Sequence, residues 1–265
     1  MTAIAVTIAG SDSGGGAGIQ ADLKTFSALG VYGASVITAL TAQNTRGVTG
    51  IHDVPPHFIA LQIDAVFSDL KVNAVKIGML SAPLAIATVV AGLERWSQTH
   101  VVLDPVMVAT SGDRLIAPGA IDILKRDLIP RAMLITPNLP EAAMLLDAPV
   151  ARTEAEMREQ AERLLGIGAK AVLLKGGHAP LPEAIDLLVT PAAVMRMTAT
   201  KVDTENTHGT GCTLSSAIAA GLAKGQRLSE AVTDAKTYVT AAIEAADELE
   251  IGQGHGPVHH FHAWW

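Results

Sequence analysis

Apolar residues fall along this chain in short runs at 4–9, 31–40, 74–77, 101–103, 133–135 and 171–174. Each run has the length of a strand, several end on Gly, Pro or a charged residue, and the stretches between them have helix length. That alternation is the signature of βαβ units. It predicts an α/β domain of three layers, α/β/α, around a mostly parallel central sheet. One intervening helix is marked at both ends: Thr153 and Glu156 form a capping box, Met157, Ala161, Leu164 and Leu165 make an apolar face, and Gly166 supplies the stop. Its role reads as structural. A buried helix over 210–225 opens behind Gly209-Thr210-Gly211, and another follows over 229–249. Beyond lies a Gly/His/Pro-rich tail. Its His255, His259, His260 and His262 match no metal-ligand spacing and read as a solvated end.

Composition narrows the picture. With 265 residues, 49% of them hydrophobic, the chain can bury one large core, and no repeat or linker divides it, so a single domain over 1–265 is expected. Mean hydropathy is +0.34, yet no run approaches the roughly 20 apolar residues needed to cross a bilayer. The run at 4–9 lacks a basic leader and leads straight into Gly10-Ser11-Asp12, so it reads as a buried first strand and not a secretory signal. A formal charge of -7 without any Lys/Arg cluster argues against a nucleic-acid partner. The single cysteine, Cys212, can form no intramolecular disulfide, which fits a reducing cytoplasm. Aromatic residues make up 3% of the chain, so polar and backbone contacts must carry ligand recognition.

Several segments carry chemistry. The cluster Gly10-Ser11-Asp12-Ser13-Gly14-Gly15-Gly16-Ala17-Gly18 stands between a strand and a helix and lets backbone approach a ligand closely. Within it, Gly16-Ala17-Gly18-Ile19-Gln20-Ala21 matches G-x-G-x-x-A, the dinucleotide fingerprint, so an oxidoreductase is a competing reading. That reading needs an acidic residue some 20 positions on for the ribose, and none occurs between Asp22 and Asp53. The segment Thr207-His208-Gly209-Thr210-Gly211-Cys212-Thr213 opens a helix. Its first amides, those of Gly209, Thr210, Gly211 and Cys212, offer an anion hole for the spread charge of a transferring phosphoryl group. Cys212 sits in that first turn, where a thiol pKa can fall below its reference of about 8.5 and make the group a candidate base. Asp104 and Glu141 follow apolar strands and can share a magnesium ion with nucleotide phosphates, with Asn138 nearby. Lys175, ending the run at 171–174, can neutralise phosphate. A P-loop is excluded because the chain has no Gly-Lys dipeptide. Gln43, in Thr41-Ala42-Gln43-Asn44-Thr45 after a strand, offers a carboxamide suited to an aminopyrimidine edge. Met79 offers an apolar wall for a flat ring.

As a set, these segments resemble the hydroxymethylpyrimidine/phosphomethylpyrimidine kinases of thiamine biosynthesis, within the ribokinase-like superfamily. The likeness runs nearly end to end. It lies in Ala9 through Asp22, Thr41-Ala42-Gln43-Asn44-Thr45, Lys76-Ile77-Gly78-Met79-Leu80, Asp104-Pro105-Val106-Met107, and Asn206 through Ser216. The resemblance implies phosphorylation of 4-amino-5-hydroxymethyl-2-methylpyrimidine and then of its monophosphate, both with Mg-ATP. By the same resemblance Gln43 would bind the aminopyrimidine, Gly10, Ala17 and Met79 would line its pocket, Cys212 would face the hydroxymethyl group, and Asp104 and Glu141 would serve Mg2+. Sugar kinases of the superfamily carry Asp where this chain has Cys212, so their base assignment does not transfer. A homo-oligomer is also implied. Pyridoxal kinase is the nearest rival, and a pyrimidine sensor without catalysis is a third reading.

Overall fold

The computed structural model describes residues 2–107, 116–117, 119–177 and 183–265. Its strands are β1 (Ile4–Asp12), β2 (Tyr32–Asn44), β3 (Gly47–Asp53), β4 (Ala74–Ile77), β5 (Val101–Leu103), β6 (Leu134–Ile135), β7 (Val172–Lys175), β8 (Glu183–Val189) and β9 (Val194–Thr200). Its helices are α1 (Gly18–Ala28), α2 (Pro56–Asp69), α3 (Pro83–Arg95), α4 (Ala120–Ile123), α5 (Leu139–Leu146), α6 (Glu154–Gly166), α7 (Thr210–Ala223) and α8 (Leu228–Glu244). The strands form one sheet in the order β3-β2-β1-β4-β5-β6-β7-β8-β9. From β2 to β7 all neighbours are parallel, while β3 is antiparallel to β2 and β8 and β9 close the other edge antiparallel.

Every strand expected from an apolar run is present. These are the parallel strands; β4, β5 and β6 are buried throughout and β1 and β7 nearly so, which makes them near-continuous apolar runs, while β2 is partly exposed. Their side chains alternate between two cores. Val6, Ile8, Val75, Ile77, Val101, Leu103, Val172 and Leu174 pack with α2, α3, α5 and α6 on one face. Ala5, Ala74, Val102, Leu134 and Leu173 pack with α1, α7 and α8 on the other, which gives the three expected layers. The reading missed β3, β8 and β9. β3 is half-buried or exposed at all its positions and β9 alternates between exposed and half-buried, so neither carries a continuous apolar run.

α6 carries the expected Thr153–Glu156 capping box, and α7 is buried from Thr213 to Ala223. Two boundaries differ from expectation. β1 runs through Gly10 and Ser11 to Asp12, and β2 runs through Gln43, because pairing between the two strands continues to Asp12 opposite Thr41. The tail differs more. Val258, His259 and His260 are buried; His259 N donates to Ala242 O at 2.9 Å, and His260 Nε2 lies 3.1 Å from Thr213 Oγ1. Burial pushes the His260 imidazole down to about 3, so residues 256–260 are packed against the helices and not solvated, whereas His255 is exposed as expected. Among the described residues no helix is long and apolar enough to cross a membrane.

One polar group is buried within the second core. Lys76 on β4 and Asp22 on α1 form an ion pair at 2.8 Å with both side chains fully buried. Asp22 also accepts from Thr7 Oγ1 on β1 at 2.6 Å and from Ser216 Oγ on α7 at 2.6 Å. Burial alone would lower the Lys76 pKa, but the carboxylates of Asp22, foremost, and Asp104 raise it, so the ammonium stays charged. Removing one member of such a pair leaves an uncompensated buried charge. Lys76→Met is therefore expected to cost about 3–5 kcal/mol in urea unfolding, and the double variant Asp22→Leu/Lys76→Met to cost less than Lys76→Met alone. A double variant that loses more than the single would contradict this.

Candidate active site

Strand order reverses at β1, whose neighbours are β2 on one side and β4 on the other. Ligands of open parallel sheets bind outside the carboxyl ends of the strands at such a switch point. A cavity of about 800 Å³ lies there, and all eleven residues singled out for function line it. Gly10 comes from the end of β1, Ala17 from the loop into α1, Gln43 from the end of β2 and Met79 from just beyond β4. Asp104 follows β5, Glu141 lies in the first turn of α5, and Lys175 ends β7. Gly209, Thr210, Gly211 and Cys212 form the start of α7.

At one end of the cavity the backbone is close-packed. Met79 is buried against Ala39, and a Cβ placed on Gly10 would stand 2.9 Å from Met79 Cε, so a side chain there would displace the thioether at the cavity wall. The glycine loop after β1 is organised by Asp12. Its carboxylate accepts from Gly14 N at 2.8 Å, Gly16 N at 3.1 Å and Ala17 N at 2.8 Å. These amides would have to bind pyrophosphate in a dinucleotide site, and they are already engaged. Burial alone would push the Asp12 carboxyl up, but His208 and the loop amides hold it below the usual carboxylate range.

The transfer loop meets this glycine loop directly. Gly209 has φ +80, and a Cβ on it would stand 1.9 Å from Gly16 O, so no side chain fits there. Thr210 N donates to Thr207 O at 3.2 Å, which engages one of the four amides expected for an anion. The amides of Gly211 and Cys212, one residue further into α7, have no acceptor within the helix by its geometry. A Cβ on Gly211 would stand 3.1 Å from Lys175 Nζ and 3.5 Å from Asp104 Oδ2, so the start of α7, the cation and the carboxylate converge on one point.

Lys175 Nζ binds Asp104 Oδ1 at 2.8 Å, and Thr136 Oγ1 donates to the same oxygen at 2.9 Å. Burial would raise the Asp104 pKa, but the charges of Lys175 and Lys76 hold it low. Glu141 caps α5 with Asn138, accepting from Asn138 N at 2.8 Å. Burial pushes its carboxyl up to about 7, with Lys175 opposing and Asp104 adding to the rise. Among the described residues no three His, Cys, Asp or Glu side chains converge as an all-protein metal cage. Mg2+ commonly takes one or two carboxylates, with waters and phosphates completing its shell. Two carboxylates on one cavity wall fit that pattern, and a cation there would favour the ionised form of Glu141.

Cys212 departs from expectation. The helix start was to depress its pKa; instead burial pushes the thiol up to about 11, Lys76 pulling down and Asp22 and Asp104 pushing further up. Desolvation outweighs the helix terminus. Sequence reasoning also missed Asp12, His208 and Lys76, all of which line the cavity. Asp12 carried a signal, an Asp just before glycines that takes their amides. His208 carried none. On the far side Asp186 and Lys236 pair at 2.6 Å, and Leu214, Val239 and Ile243 supply an apolar surface.

A family model described as phosphomethylpyrimidine kinase matches residues 12–259. The hydroxymethylpyrimidine/phosphomethylpyrimidine kinase of Rhizobium meliloti (strain 1021) is 62% identical over 265 residues, covering 100% of this chain and 99% of its own. The protein of the same description from Escherichia coli (strain K12) is 55% identical over 98% of each chain. Among solved structures, an ADP complex of Bacillus subtilis pyridoxal kinase superposes with a TM-score of 0.91 at 35% identity over 98% of each chain. A phosphomethylpyrimidine kinase from Clostridium difficile 630 gives a TM-score of 0.81 at 47% identity, covering 91% of this chain and 99% of that one. The fold is the ribokinase-like one, and the dinucleotide-binding oxidoreductase is set aside. A family match over residues 12–259 and near-full-length relatives at 55% and 62% identity show that the chain belongs to the phosphomethylpyrimidine kinase family.

Proposed function

We propose that this protein transfers the γ-phosphoryl group of ATP to the hydroxymethyl group of 4-amino-5-hydroxymethyl-2-methylpyrimidine, and then phosphorylates the monophosphate to the diphosphate used for thiamine. The observation that carries the proposal is one cavity holding Gln43 and Met79 at one end and Gly211 against Lys175 and Asp104 further along. Gln43 pairs with the amino group and adjacent ring nitrogen, while Gly10, Ala17 and Met79 seat the ring. The apolar surface of Leu214, Val239 and Ile243 suits the nucleoside. We place the activity in a single domain spanning 1–265, acting in the cytoplasm. Exposed Leu40, Ile51, Phe58 and Leu61, on β2, β3 and α2, support a homo-oligomer.

Phosphoryl transfer passes through a loose transition state, so its catalysis is mainly positioning and charge stabilisation. Gly211 and Cys212 direct their amides at the equatorial oxygens. Lys175 shifts its ammonium from Asp104 toward the phosphate. Asp104 and Glu141 are the residues that would hold Mg2+, which when bound neutralises phosphate charge. Cys212 faces the hydroxyl as a neutral thiol. A group with a pKa of about 11 is ionised in roughly one molecule in 10⁴ at pH 7. That population makes Cys212 a positioning group and leaves little proton removal for the transition state to require.

An assay coupled to ADP formation, with product mass measured, should register one and then two added phosphoryl groups on the pyrimidine. Turnover of pyridoxal alone would sink the substrate assignment. Because Cys212 is the sole cysteine, iodoacetamide reports its ionisation directly. Alkylation should be slow at pH 7 and climb towards an apparent pKa of about 11; a plateau reached by pH 8 would contradict the neutral thiol. Cys212→Ala should lower kcat by less than about tenfold, with the pH profile between 6 and 9 unchanged in shape.

A further inference from the structure

The Gly/His/Pro-rich tail bridges the end of β2 and the start of α7. Its glycines 252, 254 and 256 alternate along the chain, and each marks a contact too close for a side chain. A Cβ on Gly252 would stand 2.3 Å from Thr45 Oγ1, one on Gly254 2.2 Å from Thr45 O, and one on Gly256 2.2 Å from Asn206 Oδ1. Hydrogen bonds follow the same line. Thr45 Oγ1 accepts from Gln253 N at 3.3 Å and from Gly254 N at 3.2 Å, and Thr45 O accepts from His255 N at 2.9 Å. Asn206 Oδ1 accepts from Gly256 N at 3.0 Å while its Nδ2 donates to Asp247 Oδ1 at 2.7 Å, so that side chain is held from both ends. His208 N then donates to Gly256 O at 3.0 Å, and His208 O accepts from Val258 N at 3.3 Å.

The pieces joined in this way carry opposite ends of the reaction. Thr45 and Arg46 form the turn between β2 and β3, two residues beyond Gln43, with Asn44 opposite Gly47. β3 contains no buried residue, and a two-stranded hairpin without a buried face is marginal by itself. Asn206 and His208 belong to the segment that enters α7. The tail also touches the glycine loop, since a Cβ on Gly16 would stand 3.2 Å from Pro257 Cβ. Beyond 258 it is anchored on α8, where His259 N donates to Ala242 O at 2.9 Å and Tyr238 Oη donates to His260 O.

We infer that residues 252–258 are a positioning strap for the acceptor end of the site, holding the turn beyond Gln43 in place relative to the first turn of α7, so that they govern acceptor binding and phosphoryl transfer but not nucleotide binding. The inference rests on the proposed kinase activity. The ring is seated from the end of β2 and the phosphoryl group from α7, and a misplacement of about 1 Å between reacting groups costs on the order of 10²-fold. The three glycines press on Thr45 and Asn206, which lie outside α7 and α8, the helices that carry the apolar nucleotide surface.

The test is kcat/KM for the hydroxymethylpyrimidine, together with Mg-ADP affinity by calorimetry, in wild type, Gly254→Ala, Gly256→Ala, Thr45→Val and Thr45→Ser. Urea midpoints identify the folded variants. Both glycine variants should lose on the order of 10–100-fold in kcat/KM, and Thr45→Val about tenfold, as for roughly one net hydrogen bond. Thr45→Ser keeps the accepting oxygen and should stay within about twofold of wild type. ADP affinity should stay within about twofold throughout, because separate sites act independently. A tail that only stabilised the fold would lower the urea midpoints and leave kcat/KM of folded protein alone. Acceptor kcat/KM within about twofold of wild type in every folded variant would overturn the inference, as would ADP affinity falling in step with it. Should neither glycine variant fold, the Thr45 pair decides: equal kcat/KM for Val and Ser overturns the strap. Wild type that phosphorylates pyridoxal alone removes the pyrimidine reading, and the same comparison with pyridoxal as acceptor then decides the strap. Wild type that phosphorylates neither removes both.

Discussion

The ion pair between Lys76 and Asp22 is the constraint on which the site depends. A carboxylate and an ammonium with no solvent exposure hold together only if each polar valence is met. Here Thr7 from β1 and Ser216 from α7 complete the set. Four elements, β1, α1, β4 and α7, are therefore tied at one buried point beneath the cavity. Their geometry sets where the first turn of α7 stands relative to the end of β1. Gly209 can then press against Gly16 O, and Gly211 can face Lys175 and Asp104.

The same pair sets charge. The Lys76 ammonium lies near both Cys212 and Asp104 and favours the ionised form of each. For Asp104, with Lys175 added, it outweighs burial and the carboxylate stays charged. For Cys212 it does not, because desolvation is larger and two carboxylates oppose it. A site that keeps its carboxylate ionised and its thiol neutral is arranged to stabilise phosphoryl charge more than to remove a proton. The raised Glu141 carboxyl fits the same arrangement, since an incoming cation would meet a group near its midpoint at neutral pH.

Much of this was legible in the sequence, for physical reasons that differ by element. Parallel strands that are mostly buried are mostly apolar and announce themselves as runs, so β1, β2, β4, β5, β6 and β7 could be read. The antiparallel strands β3 and β9 face solvent in part, and their signal dissolves into polar surroundings, while the buried run of β8 is interrupted by Asp186. Glycine motifs marked the loops at 10–18 and 207–213, where Gly18 and Gly209 stand so close to neighbouring backbone that no side chain fits. Long-range partners left no mark. His259 and His260 of the tail are buried, and His208 reaches Asp12 across 196 positions, and nothing local in sequence encodes either. The Cys212 pKa was misread because a helix start is visible in sequence and desolvation is not.

The central claim is that the amides opening α7 hold the phosphoryl group in flight, with the pyrimidine and nucleotide on either side. Trapping with ADP, Mg2+ and aluminium fluoride, a planar mimic of the transferred group, tests it most directly. Wild type should retain ADP through gel filtration only when the hydroxymethylpyrimidine is present, and Gly211→Ala, whose methyl would sit 3.1 Å from Lys175 Nζ, should not. Equal retention by the two proteins would contradict the account.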